Sequence, residues 1–289
     1  GPFAKGTILM KENNTSLLRV ILRVLQGVLI GVGAVLPGIS GGVLCVVFGI
    51  YKPVMELLGD PIRKFKTHVP KLLPVIIGGA VGFLGVAKIL AFFLETYPAP
   101  SVCLFIGLIT GMLPSLFRES NEQGRAKYSW VPMVVAFAVI LTLLISLDLF
   151  SITIAPNFGW YIFCGFCLAL SVIAPGMSFS TLLMPLGLYT PFVDGLGNLD
   201  FGILVPAGIG AVVTVICLAR AVDALFDHFY VYAFHAIIGI VIAATLMIIP
   251  VDSFLASPGS AAINVVCIVV GVVAALALDR FNSSIPKQD

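Results

Sequence analysis

Charged side chains are scarce in this sequence: they make up 10% of its 289 residues, against roughly 25% in soluble domains. Between Ser129 and Ala219 there is no lysine or arginine at all. A chain that is 60% hydrophobic cannot clothe itself in a hydrated surface, so soluble classes are excluded and an all-α polytopic membrane protein is expected. No nucleic-acid partner is expected, and the net charge of +2 has no meaning until the charges are assigned to sides of a membrane. Cysteine is sparse too. The six cysteines, at 45, 103, 164, 167, 217 and 267, all sit in apolar stretches. Cys164 and Cys167 form a C-x-x-C with no further ligand near in sequence, so they read as packing residues, and no disulfide, metal or cofactor is expected. No basic leader with a small-residue cleavage site is present, so no removable signal peptide is expected, and Gly1-Pro2 reads as the remnant of a protease site. Carboxylates and histidines are missing from Gly27 to Tyr51 and from Trp160 to Pro191. That absence removes acid, base and anionic nucleophile from the two stretches where the chain is most distinctive.

Those stretches carry the same pattern twice. Leu36-Pro37-Gly38-Ile39-Ser40-Gly41-Gly42 interrupts an apolar run, and Ala174-Pro175-Gly176-Met177-Ser178-Phe179-Ser180-Thr181 interrupts another. Proline cannot donate a backbone hydrogen bond and glycine disfavours helix, so each run must break there. At membrane depth such a break is tolerated only inside protein or beside a water-filled cavity. Gly27, Pro37, Gly38, Ser40, Gly49, Tyr51 and Pro53 recur 138 residues later as Gly165, Pro175, Gly176, Ser178, Gly187, Tyr189 and Pro191. After a shorter loop the register resumes at 132 residues, pairing Pro74 with Pro206, Gly78 with Gly210, Lys88 with Arg220, Glu95 with Asp227 and Gly107 with Gly239. Apolar composition does not align prolines, glycines and charges together, so the chain is an internal duplication, with repeat 1 over residues 14–150 and repeat 2 over residues 156–281.

Basic residues give the expected topology. Arg19 and Arg23 mark an amphipathic helix from Asn14 to Gln26 lying at the interface. Asp60 to Lys71, with Arg63, Lys64, Lys66, His68 and Lys71, reads as a polar loop, and Arg118 to Lys127 as a second basic loop. Spans are expected at 72–94, 102–116, 130–149, 203–226, 232–249 and 262–278. The positive-inside rule places the amino terminus, both basic loops and the carboxy terminus in the cytoplasm. The first broken element must then enter and return from the cytoplasm, and the second from outside. The expected fold is two inverted-topology repeats, each a re-entrant broken-helix hairpin plus three transmembrane helices, in one integral membrane domain.

Each hairpin tip would offer helix-terminal N–H groups to an anion. The candidate phosphate-binding residues are Gly38, Ser40, Gly41 and Gly42 in the first tip and Gly176, Ser178, Ser180 and Thr181 in the second. Lys88 and Arg220 lie well inside the apolar zone, where a charge in lipid costs ~2.5–3.5 kcal/mol, so both are expected to face the protein interior with a partner. Pairing of Arg220 with Asp223 on the same helix is the alternative. Glu95 and Asp227 are candidate coupling carboxylates; a solvated helix end explains them more simply, as it does Asp148 and Asp279. His228 and His235 read as bystanders.

With its two Pro-Gly-x-Ser tips and the Gly-x-Tyr-x-Pro sequences at Gly49–Pro53 and Gly187–Pro191, the chain resembles the PopT family of bacterial and archaeal membrane proteins from about Leu18 to Phe281. The resemblance implies a transporter of the cytoplasmic membrane that returns undecaprenyl phosphate, a polyprenyl-phosphate lipid carrier, to the cytoplasmic leaflet. Membrane lipids would be its surroundings, and homo-oligomerisation is left open. Phe179 stands where Gly41 stands in the first motif, so the two tips need not bind phosphate equally. Two other classes remain: a polyprenyl-diphosphate phosphatase, which the missing acid/base groups disfavour, and a small-anion transporter or channel.

Overall fold

The computed structural model describes residues 2–36, 50–150, 152–174 and 177–284, all of it helix and connecting turns, with no strand among the described residues. In chain order the helices are α1 (Pro2–Val35), α2 (Tyr51–Gly59), α3 (Pro61–Thr96), α4 (Pro98–Ser120), α5 (Trp130–Leu149) and α6 (Phe158–Ile173). They continue with α7 (Phe179–Leu183), a 3-10 turn at Met184–Leu186, α8 (Tyr189–Gly197), α9 (Phe201–Met247), α10 (Val251–Ala256) and α11 (Pro258–Ser284). Six stretches among the described residues are long and apolar enough to cross a membrane: Ser16–Val35, Pro61–Thr96, Pro98–Ser120, Trp130–Leu149, Phe201–Ala256 and Pro258–Arg280. The chain is a multi-pass membrane protein.

The fifth stretch is two helical arms. Phe229 interrupts α9 with non-helical angles, φ −131° and ψ 37°. Its counterpart in repeat 1 is Tyr97, which separates α3 from α4 at φ −129° and ψ 67°. Both breaks therefore fall at the same place in the duplicated sequence, and the expected spans lie on helices, except that 232–249 runs two residues past the end of α9 at Met247.

Glycines set how the helices meet. A Cβ at Gly27 would strike the carbonyl oxygen of Val75, and one at Gly78 would strike that of Val24, so α1 and α3 cross backbone to backbone. In the second half, Gly165 meets the carbonyl of Ala207 and Gly210 meets that of Ile162, which joins α6 to α9. These are the same two contacts moved by 138 residues on one helix and 132 on the other. The third spans do not stay with their own repeats. Gly107 of α4 packs against Ile268 of α11, while Gly239 of α9 packs against Met133 of α5. Each half thus closes its second span with the last span of the other half.

Three expectations change. The segment Asn14–Gln26 is not a separate interfacial helix but part of α1, continuous to Val35. The segment Asp60–Lys71 is not a loop: the Asp60 side chain accepts from the Arg63 N–H at 3.4 Å, Pro61 takes the first helical position, and α3 runs on for 36 residues. At 1.5 Å per residue that helix is ~54 Å long against a hydrocarbon core of ~30 Å, so its basic first turns project beyond the apolar zone while keeping their backbone hydrogen bonds. Asp279 is not a simply solvated helix end, because Arg118 of α4 pairs with it across to α11.

The largest core cluster surrounds the second half's returning arm. Phe179, Leu183, Leu188, Tyr189 and Phe192 are buried against Ala87, Ala91 and Leu94 of α3, Phe105 of α4 and Cys164 and Cys167 of α6. The described stretch from Phe179 to Leu196 is therefore packed inside protein.

Candidate functional site

The second tip is built by interruption. Helix α6 starts at Asn157, whose side chain accepts from the Trp160 N–H at 3.0 Å, and ends at Ala174, which turns extended at φ −103° and ψ 121°. Ser178 is extended as well, and α7 begins immediately after it. That helix lasts only five residues before the 3-10 turn, and Gly187 then adopts φ +71°, a left-handed conformation that glycine tolerates without strain. The returning arm is thus a short helix, a tight turn and α8, rather than one helix.

Three hydroxyl side chains lie on this short stretch. The Ser178 and Ser180 Oγ atoms are 2.6 Å apart, and Ser180 is fully buried. Thr181 is 2% exposed, and its Oγ1 is buried without a hydrogen-bond partner among the described residues. An unpaired buried hydroxyl costs about 1–3 kcal/mol, so this group is poised for a polar partner. Phe179, between the serines in sequence, is fully buried in the core. Its ring lies 6.2 Å from Phe83, 5.8 Å from Tyr189 and 6.0 Å from Phe192. The departure from Gly41 in the first motif is therefore an anchor that holds the tip.

Of the expected site residues, Ser178 and Ser180 are brought into hydrogen-bond contact, and Thr181 is buried next to them in sequence. Gly38, Ser40, Gly41, Gly42 and Gly176 lie outside the described residues. Lys88 and Arg220 do not face the packed interior: both side chains are exposed on the chain's own surface. At this level α3 buries Ala87 and Ala91, and Lys88, one residue on, is turned by about 100° from Ala87. Its backbone is nevertheless tightly held, because a Cβ at Gly197 of α8 would sit 2.8 Å from the Lys88 Cα. Arg220 has no such neighbour: the counterpart of Gly197 is Gly59, which has nothing within 4 Å of an added Cβ. Among the described residues neither cation makes a salt bridge, so the pairing of Arg220 with Asp223 is not formed. Glu95 and Asp227 are exposed. His235 is buried with Nδ1 2.8 Å from the Val231 carbonyl, the setting of a core histidine.

Tyr189 was not singled out from sequence, although it sits in the duplicated Gly-x-Tyr-x-Pro. It is 1% exposed, and its hydroxyl donates to the Val35 carbonyl at 3.1 Å. The contact ties the returning arm of repeat 2 to the end of α1, two residues before Pro37.

Two curated proteins are similar along most of their length. A polyprenyl-phosphate transporter of Staphylococcus aureus is 24% identical over 279 residues, covering 91% of this chain and 97% of its own. A polyprenyl-phosphate transporter of Vibrio cholerae serotype O1 is 24% identical over 219 residues, covering 71% and 70%. No solved structure matches. The family described as undecaprenyl phosphate translocase-like matches over residues 7–97 and 61–265, and the chain belongs to that family.

Proposed function

We propose that this protein is a transporter rather than an enzyme, and that it moves undecaprenyl phosphate or a related polyprenyl phosphate across the cytoplasmic membrane for lipid-carrier recycling. The observation that carries the reading is the second tip: a hydrogen-bonded pair of serines, a buried unpaired threonine hydroxyl one residue on, and no carboxylate or histidine in the broken element. Such a site can bind a phosphate oxygen and has nothing with which to cleave a phosphoester. The names of both curated relatives point to the same substrate class.

In this account the two halves are inverted repeats with both termini in the cytoplasm, and the phosphate passes between the two tips while the prenyl tail stays in lipid. Ser178, Ser180 and Thr181 receive it in repeat 2; Ser40 and the glycines Gly38, Gly41 and Gly42 receive it in repeat 1, with Gly176 completing the second turn. Lys88 and Arg220, exposed on the chain but at apolar depth, attract the anionic head along the surface that faces lipid. Glu95 and Asp227 carry any coupled cation. The unequal setting of Gly197 and Gly59 supports alternating access. One hairpin arm is closed on α3 at Lys88, while its counterpart stands away from α9 at Arg220.

A direct enzymatic assay separates the classes. Purified protein given undecaprenyl diphosphate is expected to release no inorganic phosphate; steady release would make it a phosphatase. Inorganic phosphate in excess is expected to leave lipid-phosphate transport running, whereas full competition would favour a small-anion carrier.

A further inference from the structure

A cavity lined by charged and apolar side chains lies between α1, α2 and α3. It encloses about 290 Å³, far more than the ~15 Å³ that one water needs. Its walls carry Arg23, Glu56, His68 and Lys71, over a floor that includes Ile50 and Leu72. His68 is 16% exposed in its side chain, and its Nε2 lies 2.7 Å from Glu56 Oε2. An ionised carboxylate can only accept, so Nε2 carries the hydrogen and donates. Nδ1 is buried and has no partner among the described residues. Arg23 and Lys71 make no salt bridge among the described residues, so their positive charge is not neutralised within the cavity by a direct ion pair.

We propose that this cavity is a phosphate-binding subsite, with Arg23 and Lys71 supplying the charge and His68 Nδ1 the remaining hydrogen bond. Arginine suits a phosphate edge through its paired N–H groups, and lysine adds a point charge beside it. Fixed by Glu56, the imidazole meets phosphate in either protonation state: neutral Nδ1 accepts from a P–OH, and an imidazolium Nδ1–H donates to a P–O⁻. The ligand class is a tetrahedral phosphate with at least one unesterified edge; its identity as a lipid headgroup rests on the transport reading above. The apolar floor at Ile50 and Leu72 suits an ester carbon next to that head.

The duplication supplies an internal control. Arg23 corresponds to Tyr161, and this register is fixed by the next residue, since Val24 and Ile162 make equivalent contacts with Gly78 and Gly210. Glu56 corresponds to Asp194 and, counting back from Pro74 and Pro206, His68 corresponds to Asp200 and Lys71 to Ile203. Asp194 accepts from Asn198 at 3.1 Å and Asp200 caps α9 through the Gly202 N–H at 2.9 Å, so both carboxylates have local structural roles. The equivalent position in repeat 2 is therefore acidic and rejects an anion. Among the described residues this cationic set occurs in repeat 1 alone, beside the basic first turns of α3. Ile50, where the described chain resumes, lines the cavity. The subsite would bias the headgroup toward the basic turns of α3.

Lys71 reactivity provides the test. Full-length protein in nanodiscs is treated with an amine-acetylating reagent with and without geranyl phosphate, geraniol or inorganic phosphate, and each lysine is quantified by mass spectrometry. Geranyl phosphate is expected to protect Lys71 but not the neighbouring Lys64 and Lys66, and geraniol to protect none. R23Q/K71Q is expected to weaken geranyl phosphate binding by about tenfold or more, with R23K/K71R staying near wild type. Protection by inorganic phosphate alone keeps the subsite but assigns it to a free anion, against the lipid reading. Geranyl phosphate that binds with wild-type affinity to R23Q/K71Q and leaves Lys71 fully reactive overturns the subsite while sparing the transport reading. No protection by either phosphate overturns it as well.

Discussion

The Tyr189 hydroxyl donates a hydrogen bond to the backbone carbonyl of Val35 at 3.1 Å, joining residues 154 apart in sequence. Val35 ends α1, where carbonyls lose their helical partners. Tyr189 starts α8, and its ring also meets Phe105 at 5.7 Å, edge to face. One side chain thus caps the outgoing arm of repeat 1 and packs the returning arm of repeat 2.

Tyr189→Phe keeps the ring contacts and strands the carbonyl. A loss of about 1–3 kcal/mol is expected, read as a lowered unfolding midpoint in detergent. Tyr189→Ala adds a cavity and should lose more, about 3–5 kcal/mol by analogy with other large aromatic truncations. A Tyr189→Phe protein as stable as wild type would mean that water or another donor satisfies Val35.

Close approach of α6 and α9 makes a second prediction with its own control. Gly165→Ala drives a methyl into the Ala207 backbone and should prevent folding or displace α9. Gly208→Ala, one residue beyond Ala207, meets nothing within 4 Å and should be neutral or stabilising by up to ~1 kcal/mol. Expression and size-exclusion profiles read both. Equal behaviour of the two would deny the backbone-to-backbone packing.

Alternation between the halves can be probed at Gly59. In the described state a side chain there meets open space, whereas the equivalent Gly197 touches Lys88. If the opposite state closes α2 on α9 as α8 closes on α3, Gly59→Val should leave folding and binding intact and stop transport. Wild-type transport by that variant would contradict a symmetric exchange of contacts.

Arg220 separates a substrate role from a structural one. Since it has no salt bridge to Asp223 among the described residues, Arg220→Gln is expected to abolish transport with little change in stability, and adding Asp223→Asn should not restore it. Arg220→Lys should retain part of the activity, because charge survives and the guanidinium fork does not. Recovery in the double variant would return Arg220 to local charge balance.

The duplication was legible because proline, glycine and charge mark backbone needs rather than burial, and the Gly27–Val75 and Gly165–Ala207 contacts are the need that was marked. The exchange of third spans was not legible. Helices such as α5 are apolar on every side, so their sequences do not say which partner they meet. The basic turns of α3 read as loop because charge reports water, and a helix projecting beyond the bilayer is equally wet. For Lys88 and Arg220 the position along the helix was readable, but the rotation about it was not, since for Lys88 it depends on which face Ala87 and Ala91 bury. Tyr189 looked like an ordinary aromatic, since its partner is a backbone carbonyl that side-chain patterns cannot announce.

The central claim is movement of a lipid phosphate between leaflets. Liposomes carrying undecaprenyl phosphate in both leaflets, treated with a membrane-impermeant phosphatase outside, expose only the outer-leaflet share when protein is absent. With the reconstituted protein the reaction should run to completion, and with Thr181→Val, which removes the unpaired hydroxyl of the tip, it should slow markedly. A plateau at the outer-leaflet share, unchanged by folded protein, would contradict the account.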